Sequence, residues 1–438
     1  MKTFTILLIL ICISITCHAQ LYFPPKTGDT WATVTPQSLG WNSNQISPLL
    51  QWLDEKNTKA FIVLKDGKIV IEEYFDTFTQ DSLWYWASAG KTVTAFLVGI
   101  AQQEGFLSIH DKASVYLGKN WTLAPAEKED LITIWHQLTM TSGLDDGLPP
   151  TQAVPDPDNC LKPECLVYKA DAGTRWAYHN APYRLLQDVV PVATLQSWQQ
   201  YTNQKIKQKI GMSTGVWYNY VFWSRPRDMA RFGLLALNKG VWENEVILQD
   251  TAYFNQMVNT SQQLNKSYGY LWWLNGKGEF MLPQSRVVFP LDLIPSAPDD
   301  TFMALGKDDQ KIYVVPSQNI VVIRMGESAE GRLALSAFDD ELWQQLMQVI
   351  QTTTDTDQAA ADALSIGVFP NPGQDQLQLK LSDSLELLQV NIFNVQGQEV
   401  KIDSSNEIIL DVSELSNGIY FIKVQTTLGT NVLKWVMQ

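Results

Sequence analysis

Cysteine and histidine are both scarce in this 438-residue chain, which has four of each. The histidines beyond the N-terminal region are His110, His136 and His179, and their spacing is not that of a zinc site. We therefore expect neither a metal nor a cofactor. Basic residues are also in the minority, with 32 lysines and arginines against 46 acidic residues and a net charge of −14. This balance argues against a nucleic acid or an anionic membrane surface as a partner.

Long apolar runs are absent except near the N-terminus, where residues 4–15 are almost wholly apolar. This run is too short to cross a membrane. It follows Lys2 and precedes the small residue Ala19, a pattern that predicts a secretory signal peptide over residues 1–19. We therefore expect export, with no transmembrane segment in the mature chain.

Two of the four cysteines, Cys160 and Cys165, remain after removal of the predicted signal peptide. In an exported protein, two cysteines this close together are most simply explained by one disulfide that closes a small loop. They belong to a region rich in proline and aspartate, from Asp145 to Glu164 and just beyond. Its carboxylates match no calcium-binding spacing, so the sequence favours a solvated surface loop.

The stretch from Ser88 to Ile100 carries the residues with the clearest chemical potential. After Lys91 it is apolar nearly all the way round, which predicts a buried helix. Ser88 and Lys91 are three residues apart, so their side chains should lie on one face of that helix. Burial should lower the pKa of Lys91 towards that of a neutral amine that accepts the serine proton. The alternative is that Ser88 only caps the helix and Lys91 is a solvated charge.

Predicted strands lie at both ends of the main part of the chain. Residues 60–74 read as a strand pair around the Asp66-Gly67 turn, and residues 301–325 contain three short β-rich runs. An amphipathic helix over residues 338–350 follows. The economical α/β fold is an antiparallel sheet made from both ends of the chain, flanked by helices, with an inserted helical lobe.

The middle of this part is predicted to be mostly helical. Pro191 marks the expected end of one helix, because proline cannot donate the backbone hydrogen bond that continues it. The predicted helices are residues 46–53, 131–138, 181–190 and 224–237.

A polar, low-complexity segment over residues 352–364 predicts a linker between a domain at 20–351 and another at 365–438. Short alternating runs with turn signals predict an all-β sandwich for the second domain. Its predicted strands are residues 366–369, 377–381, 388–394, 407–412, 418–424 and 431–436.

Ser88-x-x-Lys91 followed by Tyr178-His179-Asn180 resembles the motifs of the serine β-lactamase and penicillin-binding-protein superfamily. The resemblance is strongest to class C-like esterases and 6-aminohexanoate-dimer hydrolases, and it covers most of residues 24–351. It implies a serine hydrolase that forms an acyl-enzyme on Ser88. Lys91 and Tyr178 would transfer protons, and Asn180 would hold a carbonyl of a small-molecule or peptide substrate.

The third motif of that superfamily, Lys/His-Thr-Gly on a cleft strand, is missing after the serine. Counting back from the Gln310-x-Ile-Tyr-Val-Val-Pro phrase puts residues 301–303, Thr-Phe-Met, in its place. The resemblance then implies an oxyanion hole formed by the backbone N–H groups of Ser88 and Ala304. Lys307 is the charge that would replace the missing lysine, although its two aspartate neighbours are expected to pair with it and turn it outward.

These features leave three interpretations of function. The first is a secreted hydrolase of an ester or amide, which needs only the nucleophile, the base and the oxyanion hole. The second is a β-lactamase or D,D-peptidase acting on cell-wall peptides, which the missing Lys-Thr-Gly disfavours. The third is a catalytically silent binding protein of the same fold, which the intact serine and lysine disfavour.

Tryptophan is unusually frequent, with 16 residues, and several flank the motif regions. They are expected to form core or the wall of a cleft for an apolar acyl group. The flanking tryptophans are Trp84, Trp86, Trp176, Trp272 and Trp273.

The last seventy residues resemble the C-terminal sorting domain of the type IX secretion system. The supporting phrases include Val-Phe-Pro-Asn-Pro at 368–372, Gly-Ile-Tyr-Phe-Ile at 418–422 and Lys434. The resemblance implies the secretion machinery as a partner. It also implies export through the periplasm and across the outer membrane, followed by release or attachment at the cell surface.

Overall fold

The computed structural model of the chain describes residues 21–329, 337–350, 366–381, 385–395, 397–405, 407–427 and 429–437. The predicted signal peptide and the predicted linker lie outside the described residues, so both stay predictions. None of the described helices combines the length and the apolar character needed to cross a membrane.

The part of the chain before residue 351 contains both helices and strands, numbered here in chain order. The strands are β1 (Thr58–Lys65), β2 (Lys68–Tyr74), β3 (Trp84–Tyr85), β4 (Val216–Tyr218), β5 (Val221–Ser224), β6 (Val241–Trp242), β7 (Glu245–Val246), β8 (Trp273–Leu274), β9 (Phe302–Gly306), β10 (Gln310–Val315) and β11 (Ile320–Gly326). The helices are α1 (Ile46–Glu55), α2 (Lys91–Gln103), α3 (Ser114–Leu117), α4 (Ala126–Glu129), α5 (Ile134–Leu138), α6 (Asn180–Arg184), α7 (Leu186–Thr194), α8 (Trp198–Thr202), α9 (Gln208–Ile210), α10 (Pro226–Leu237), α11 (Thr251–Met257) and α12 (Ala337–Ile350).

The central sheet has six strands in the order β2-β1-β11-β10-β9-β8, and neighbouring strands are antiparallel. Its first two strands come from the N-terminal end of the domain and the others from beyond residue 270. The β1–β2 turn is Asp66-Gly67, and both residues have positive φ angles, as a two-residue hairpin turn requires. The sequence prediction of a sheet built from both ends of the chain is confirmed.

Helices cover both faces of this sheet. On one face Gly233 of α10 packs so closely on β11 that a Cβ there would lie 2.5 Å from Val321 Cγ1. On the other face the ring of Trp343 in α12 lies 5.6 Å from that of Tyr313 in β10. Because side chains alternate along a strand, these two contacts identify opposite faces of one sheet. Helix α2 in turn packs against α10.

An inserted lobe containing α3–α9 lies between α2 and β4, and it has a small hydrophobic cluster of its own around Trp121 and Leu166. Two details differ from the sequence prediction. Pro191 does not end its helix. The predicted helix is instead interrupted earlier, at Leu185, and α7 continues past Pro191 to Leu195, which has a left-handed backbone conformation. Ser224 ends β5 rather than beginning a helix, and α10 starts at Pro226.

The C-terminal region forms two antiparallel sheets around one apolar cluster, in agreement with the predicted sandwich. The described residues of this region contain seven strands where six were predicted. The additional strand, Glu399–Asp403, is mostly exposed and therefore lacks the alternating apolar pattern of a half-buried strand. The strands are β12 (Ile366–Phe369), β13 (Gln376–Leu381), β14 (Leu387–Asn394), β15 (Glu399–Asp403), β16 (Ile409–Asp411), β17 (Gly418–Thr426) and β18 (Gly429–Met437).

Candidate active site

Ser88 lies in a short 3-10 turn, Ala87–Gly90, that leads directly into α2. Ala87 has a φ angle of 46°, an uncommon value for a residue with a side chain. Such conformations persist only where the surrounding structure enforces them, and they are concentrated at functional sites. The backbone on the N-terminal side is fixed by the Trp86 N–H, which donates to the Phe222 carbonyl at 2.8 Å. Ser88 itself is partly exposed to solvent.

Lys91 is the first residue of α2, and only 2% of its surface is exposed. Its Nζ lies 2.6 Å from Ser88 Oγ, within hydrogen-bond distance. The rings of Tyr178 and Tyr183 flank the same nitrogen, with centroids at 4.8 and 4.3 Å. Burial holds the pKa of Lys91 well below its usual value, with Asp158 opposing this shift. The amine is therefore disposed to accept the Ser88 proton.

Tyr178 lies buried beside this pair, and its ring stacks on that of Trp273 at 5.6 Å. Burial raises the pKa of the Tyr178 hydroxyl, while a hydrogen bond with Ser88 lowers it less strongly. The phenol thus remains protonated at neutral pH and contacts the serine. The structure brings together Ser88, Lys91 and Tyr178, although Tyr178 is 90 residues from Ser88 in sequence.

Asn180, the first residue of α6, points towards Asp158. The Asp158 carboxylate accepts hydrogen bonds from the Asn180 backbone N–H at 3.0 Å and from its side-chain amide at 2.6 Å. One of the two hydrogens of the Asn180 amide is therefore engaged before any substrate binds. Neighbouring His179 is 2% exposed, and its ring nitrogens have no hydrogen-bond partner among the described residues.

The loop that carries Asp158 lies at the surface as predicted, since none of residues 145–164 is buried, but two of its aspartates contact the rest of the domain. The side chain of Asp158 is 29% exposed, and that of Asp146 only 4%. Asp146 forms ion pairs with Arg175 and Arg286, which bind the loop to the rest of the domain. Asp158 was not among the predicted site residues, because its contact with the site joins distant parts of the chain.

The predicted disulfide between Cys160 and Cys165 is present. It closes the segment that immediately follows Asp158. Among the described residues no cluster of His, Cys, Asp or Glu side chains has the arrangement of a metal site.

Strand β9 borders the nucleophile turn through its last residue, Gly306. A Cβ on Gly306 would lie 2.4 Å from the Trp86 carbonyl oxygen and 3.1 Å from the Ala89 nitrogen. Ala304 lies two residues earlier, about 6–7 Å along the strand. Gly306 is thus a β9 residue in close contact with the turn that carries Ser88, and the Lys307 N–H follows it directly in the chain.

The Lys307 side chain is exposed, as expected, but it is not turned outward by its neighbours. Asp308 accepts a hydrogen bond from the Tyr85 hydroxyl at 2.7 Å, and Asp309 pairs with the buried Lys311. Both aspartates are therefore engaged elsewhere. The tryptophans near the motifs are mainly core, since Trp86, Trp176, Trp272 and Trp273 are at most 1% exposed, and only Trp84 is half-buried.

The β-lactamase family profile matches residues 54–342, about two thirds of the chain. The chain belongs to the β-lactamase family. A second profile, that of the secretion system C-terminal sorting domain, matches residues 367–438. The match to the β-lactamase family supports a serine hydrolase type of activity in general terms, and the sorting domain supports export or surface delivery.

Known relatives of this β-lactamase-family chain are distant. An uncharacterised protein of Alkalihalophilus pseudofirmus is 23% identical over 306 residues, which cover 60% of this chain and 82% of the relative. A Bacillus anthracis structure, described as a proposed 6-aminohexanoate-dimer hydrolase, is 19% identical with a TM-score of 0.57. That match covers 74% of this chain and 88% of the other.

A penicillin-binding protein homologue from Pyrococcus abyssi, an octamer, covers 89% of both chains at 15% identity and a TM-score of 0.51. At these identities the solved structures establish the fold alone. Function must therefore be argued from the residues of the site.

Proposed function

We propose that the protein is a secreted serine hydrolase that cleaves an ester or amide through an acyl-enzyme on Ser88. The observation that carries this proposal is the 2.6 Å contact between Ser88 Oγ and a Lys91 Nζ whose pKa burial has lowered. A neutral amine at that distance fulfils the geometric and electrostatic requirements of a general base.

In the first step Lys91 accepts the Ser88 hydroxyl proton as Oγ attacks the substrate carbonyl. The negative charge that develops on the carbonyl oxygen requires N–H donors. The backbone N–H of Ser88 supplies one. For the second donor we favour Lys307 N–H over the Ala304 N–H predicted from sequence, because Gly306 is the β9 residue packed on the turn.

Tyr178 completes the proton path. Its hydroxyl remains protonated because burial raises its pKa, so it is suited to protonate the leaving group as the tetrahedral intermediate collapses. Lys91 passes the proton that it took from Ser88 to Tyr178, which restores the phenol. A water molecule then attacks the acyl-enzyme as Lys91 accepts one of its protons, and this proton returns to Ser88 Oγ when the acid leaves. Asn180 orients the substrate carbonyl with the amide hydrogen that Asp158 does not engage.

The charges around the site favour neutral esters over β-lactams. A β-lactam carries a carboxylate, and Asp158 places a negative charge beside Asn180, close enough to act on Lys91. Lys307 is exposed, and a mobile surface cation compensates only weakly. Loss of one charge-assisted hydrogen bond, worth about 1.5–3 kcal/mol, lowers kcat/KM roughly ten- to over a hundredfold.

The sorting domain supports the further proposal that type IX secretion machinery carries the protein across the outer membrane. The route through the periplasm follows from the predicted signal peptide. β-Lactamase or D,D-peptidase activity, and silent binding, remain the alternatives that the following experiment separates.

The test is covalent labelling with a fluorophosphonate, followed by kinetics on p-nitrophenyl acetate and nitrocefin. We expect labelling at Ser88 that is lost in Ser88→Ala and kept in the control Ser82→Ala, and a higher kcat/KM for the acetate. Labelling that persists in Ser88→Ala would refute the assignment of Ser88 as the nucleophile. Efficient nitrocefin turnover that collapses in Lys307→Ala would instead show that Lys307 grips the ligand carboxylate, and would establish the β-lactamase alternative.

A further inference from the structure

A small three-stranded sheet next to the nucleophile presents an apolar face to solvent. Its order is β3-β5-β4, and Trp223 of β5 is the Cα partner of both Tyr85 in β3 and Val216 in β4. Tyr218 and Val221 form a second pair, two residues further along their strands. Side chains of cross-strand partners, and of residues two apart, share a face. We call these five side chains the apolar strip.

The strip is exposed where a core face would be covered. The exposed fractions of Val216 and Tyr218 are 47% and 73%, and the other three residues are half-buried. The opposite face of the same sheet packs inward, with Phe222 only 1% exposed. Five apolar or aromatic side chains without a charged residue among them form a contiguous surface that typically marks a binding site.

The strip begins at the mouth of the active site. Tyr85 is three residues before Ser88, and its ring lies 5.4 Å from that of Trp223. Its hydroxyl donates to Asp308, in the turn that follows Gly306 and the proposed oxyanion donor. The strip therefore adjoins both the strand that leads into the nucleophile turn and the turn that follows β9.

We propose that the apolar strip is the subsite for the acyl chain of the substrate, and that medium-chain aliphatic esters are its preferred substrates. This proposal rests on the proposed hydrolase function. An occupant of this chemistry is favoured because the strip adjoins the strand that leads into the nucleophile turn and contains no charged side chain. It is also open on one side, so it accommodates a chain without enclosing it.

The expected size of the effect follows from the burial of methylene groups. Complete burial of one methylene increases kcat/KM about fourfold. An open face buries only half of each methylene, so each methylene should increase kcat/KM about twofold. Four methylenes separate butyrate from octanoate, so four factors of about two should increase kcat/KM about sixteenfold between the two p-nitrophenyl esters. The readout is this octanoate-to-butyrate ratio.

The test compares the wild type with the double variant Val216→Ser/Tyr218→Ser, whose side chains are exposed and not needed for folding. We expect the ratio to fall to about two or less in the double variant and in Trp223→Ala. The matched control is Val246→Ser, an exposed valine (56%) in the separate β6–β7 hairpin, which should keep the wild-type ratio.

Three outcomes overturn the proposal. A wild-type ratio near one, with Ser88 still labelled by a fluorophosphonate, refutes the strip but not the hydrolase. A double variant that keeps the wild-type ratio also refutes the strip as the acyl subsite, without refuting the hydrolase function. Dependence of kcat/KM on the alcohol chain of alkyl acetates, rather than on the acyl chain, assigns the strip to the leaving group. Absence of both labelling and ester turnover refutes the hydrolase function itself.

Discussion

At the scale of single residues, the decisive arrangement is a lysine placed where water does not solvate it. Lys91 lies between two tyrosine rings and contacts Ser88. None of these three neighbours carries a carboxylate. The charged form of the Lys91 amine therefore has no ion-pair partner among them. Burial thus removes the solvation of one charge, and the lowered pKa of Lys91 favours the neutral amine that the proposed base requires.

This arrangement predicts the pH dependence of acylation. Because burial lowers the pKa of Lys91 below its usual value near 10.5, the reactive neutral amine appears as pH rises through the lowered value. The rate of fluorophosphonate labelling at Ser88 should therefore increase with pH and level off well below pH 10.5. In the same window the unfolded chain binds one more proton than the folded chain, so this group makes the folded state more stable as pH rises.

The measurement is the labelling rate across pH 5–10, with the unfolding midpoint in urea recorded on the same samples. His179→Gln provides the control, because His179 is the neighbouring buried group whose pKa is also lowered by burial. A midpoint of the labelling profile that moves in His179→Gln would assign the titration to the histidine instead of Lys91.

The serine and lysine were predictable from sequence, whereas Asp158 was not. Ser88 and Lys91 are three residues apart on a helix whose apolar composition already indicated burial. Asp158 is adjacent to Asn180 only because the chain folds the loop back over the site, and nothing in the local pattern distinguishes it from its solvated neighbours. Long-range contacts of this kind are specified by the whole fold and not by spacing.

At the scale of secondary-structure elements, the site depends on how closely strand β9 approaches the nucleophile turn. Gly306 makes this approach possible because it has no Cβ that would clash with the Trp86 carbonyl oxygen. The sequence correctly predicted the strand, and the motif spacing placed the second oxyanion donor at Ala304, which stays a prediction. Only the observed contact of Gly306 shows which end of the strand borders the turn.

Substitution of Gly306 by valine should therefore damage catalysis more than folding. The added side chain must push β9 away from the turn and displace an oxyanion donor, and we expect kcat to fall about 10²–10³-fold. KM should change less. Gly367→Ala in the C-terminal domain is the control, since the nearest atom to its Cβ would be 3.7 Å away. A Gly306→Val enzyme with near-normal kcat would place the second oxyanion donor elsewhere.

At the scale of the whole molecule, the two domains have separate hydrophobic clusters. They also touch: the Phe289 and Phe421 rings are 6.1 Å apart, and Gly397 approaches Val287. The proposed catalytic residues all belong to the first domain. The contact is small beside the core of either domain, so each domain is expected to fold independently.

A chain that ends at Ile350 should therefore keep its catalytic activity. We expect kcat/KM on p-nitrophenyl acetate to stay within about twofold of the full-length value, because few contacts cross between the domains. Surface delivery should be lost with the sorting domain. A truncated protein that is folded by circular dichroism but inactive would show that the C-terminal domain contributes to the site.

The pairing of β1 with β11 also determines when this protein is able to fold. Residues 58–65 find their partners only at residues 320–326, so the central sheet cannot close until nearly the whole domain has left the ribosome. Contacts this distant in sequence slow folding, because the chain must close a long loop before the strand pairing stabilises it. A chain that stops before residue 320 has β2 as a partner for β1 but lacks β11, the strand on the other side of β1. The central sheet is therefore completed late in synthesis, whatever helices form before it.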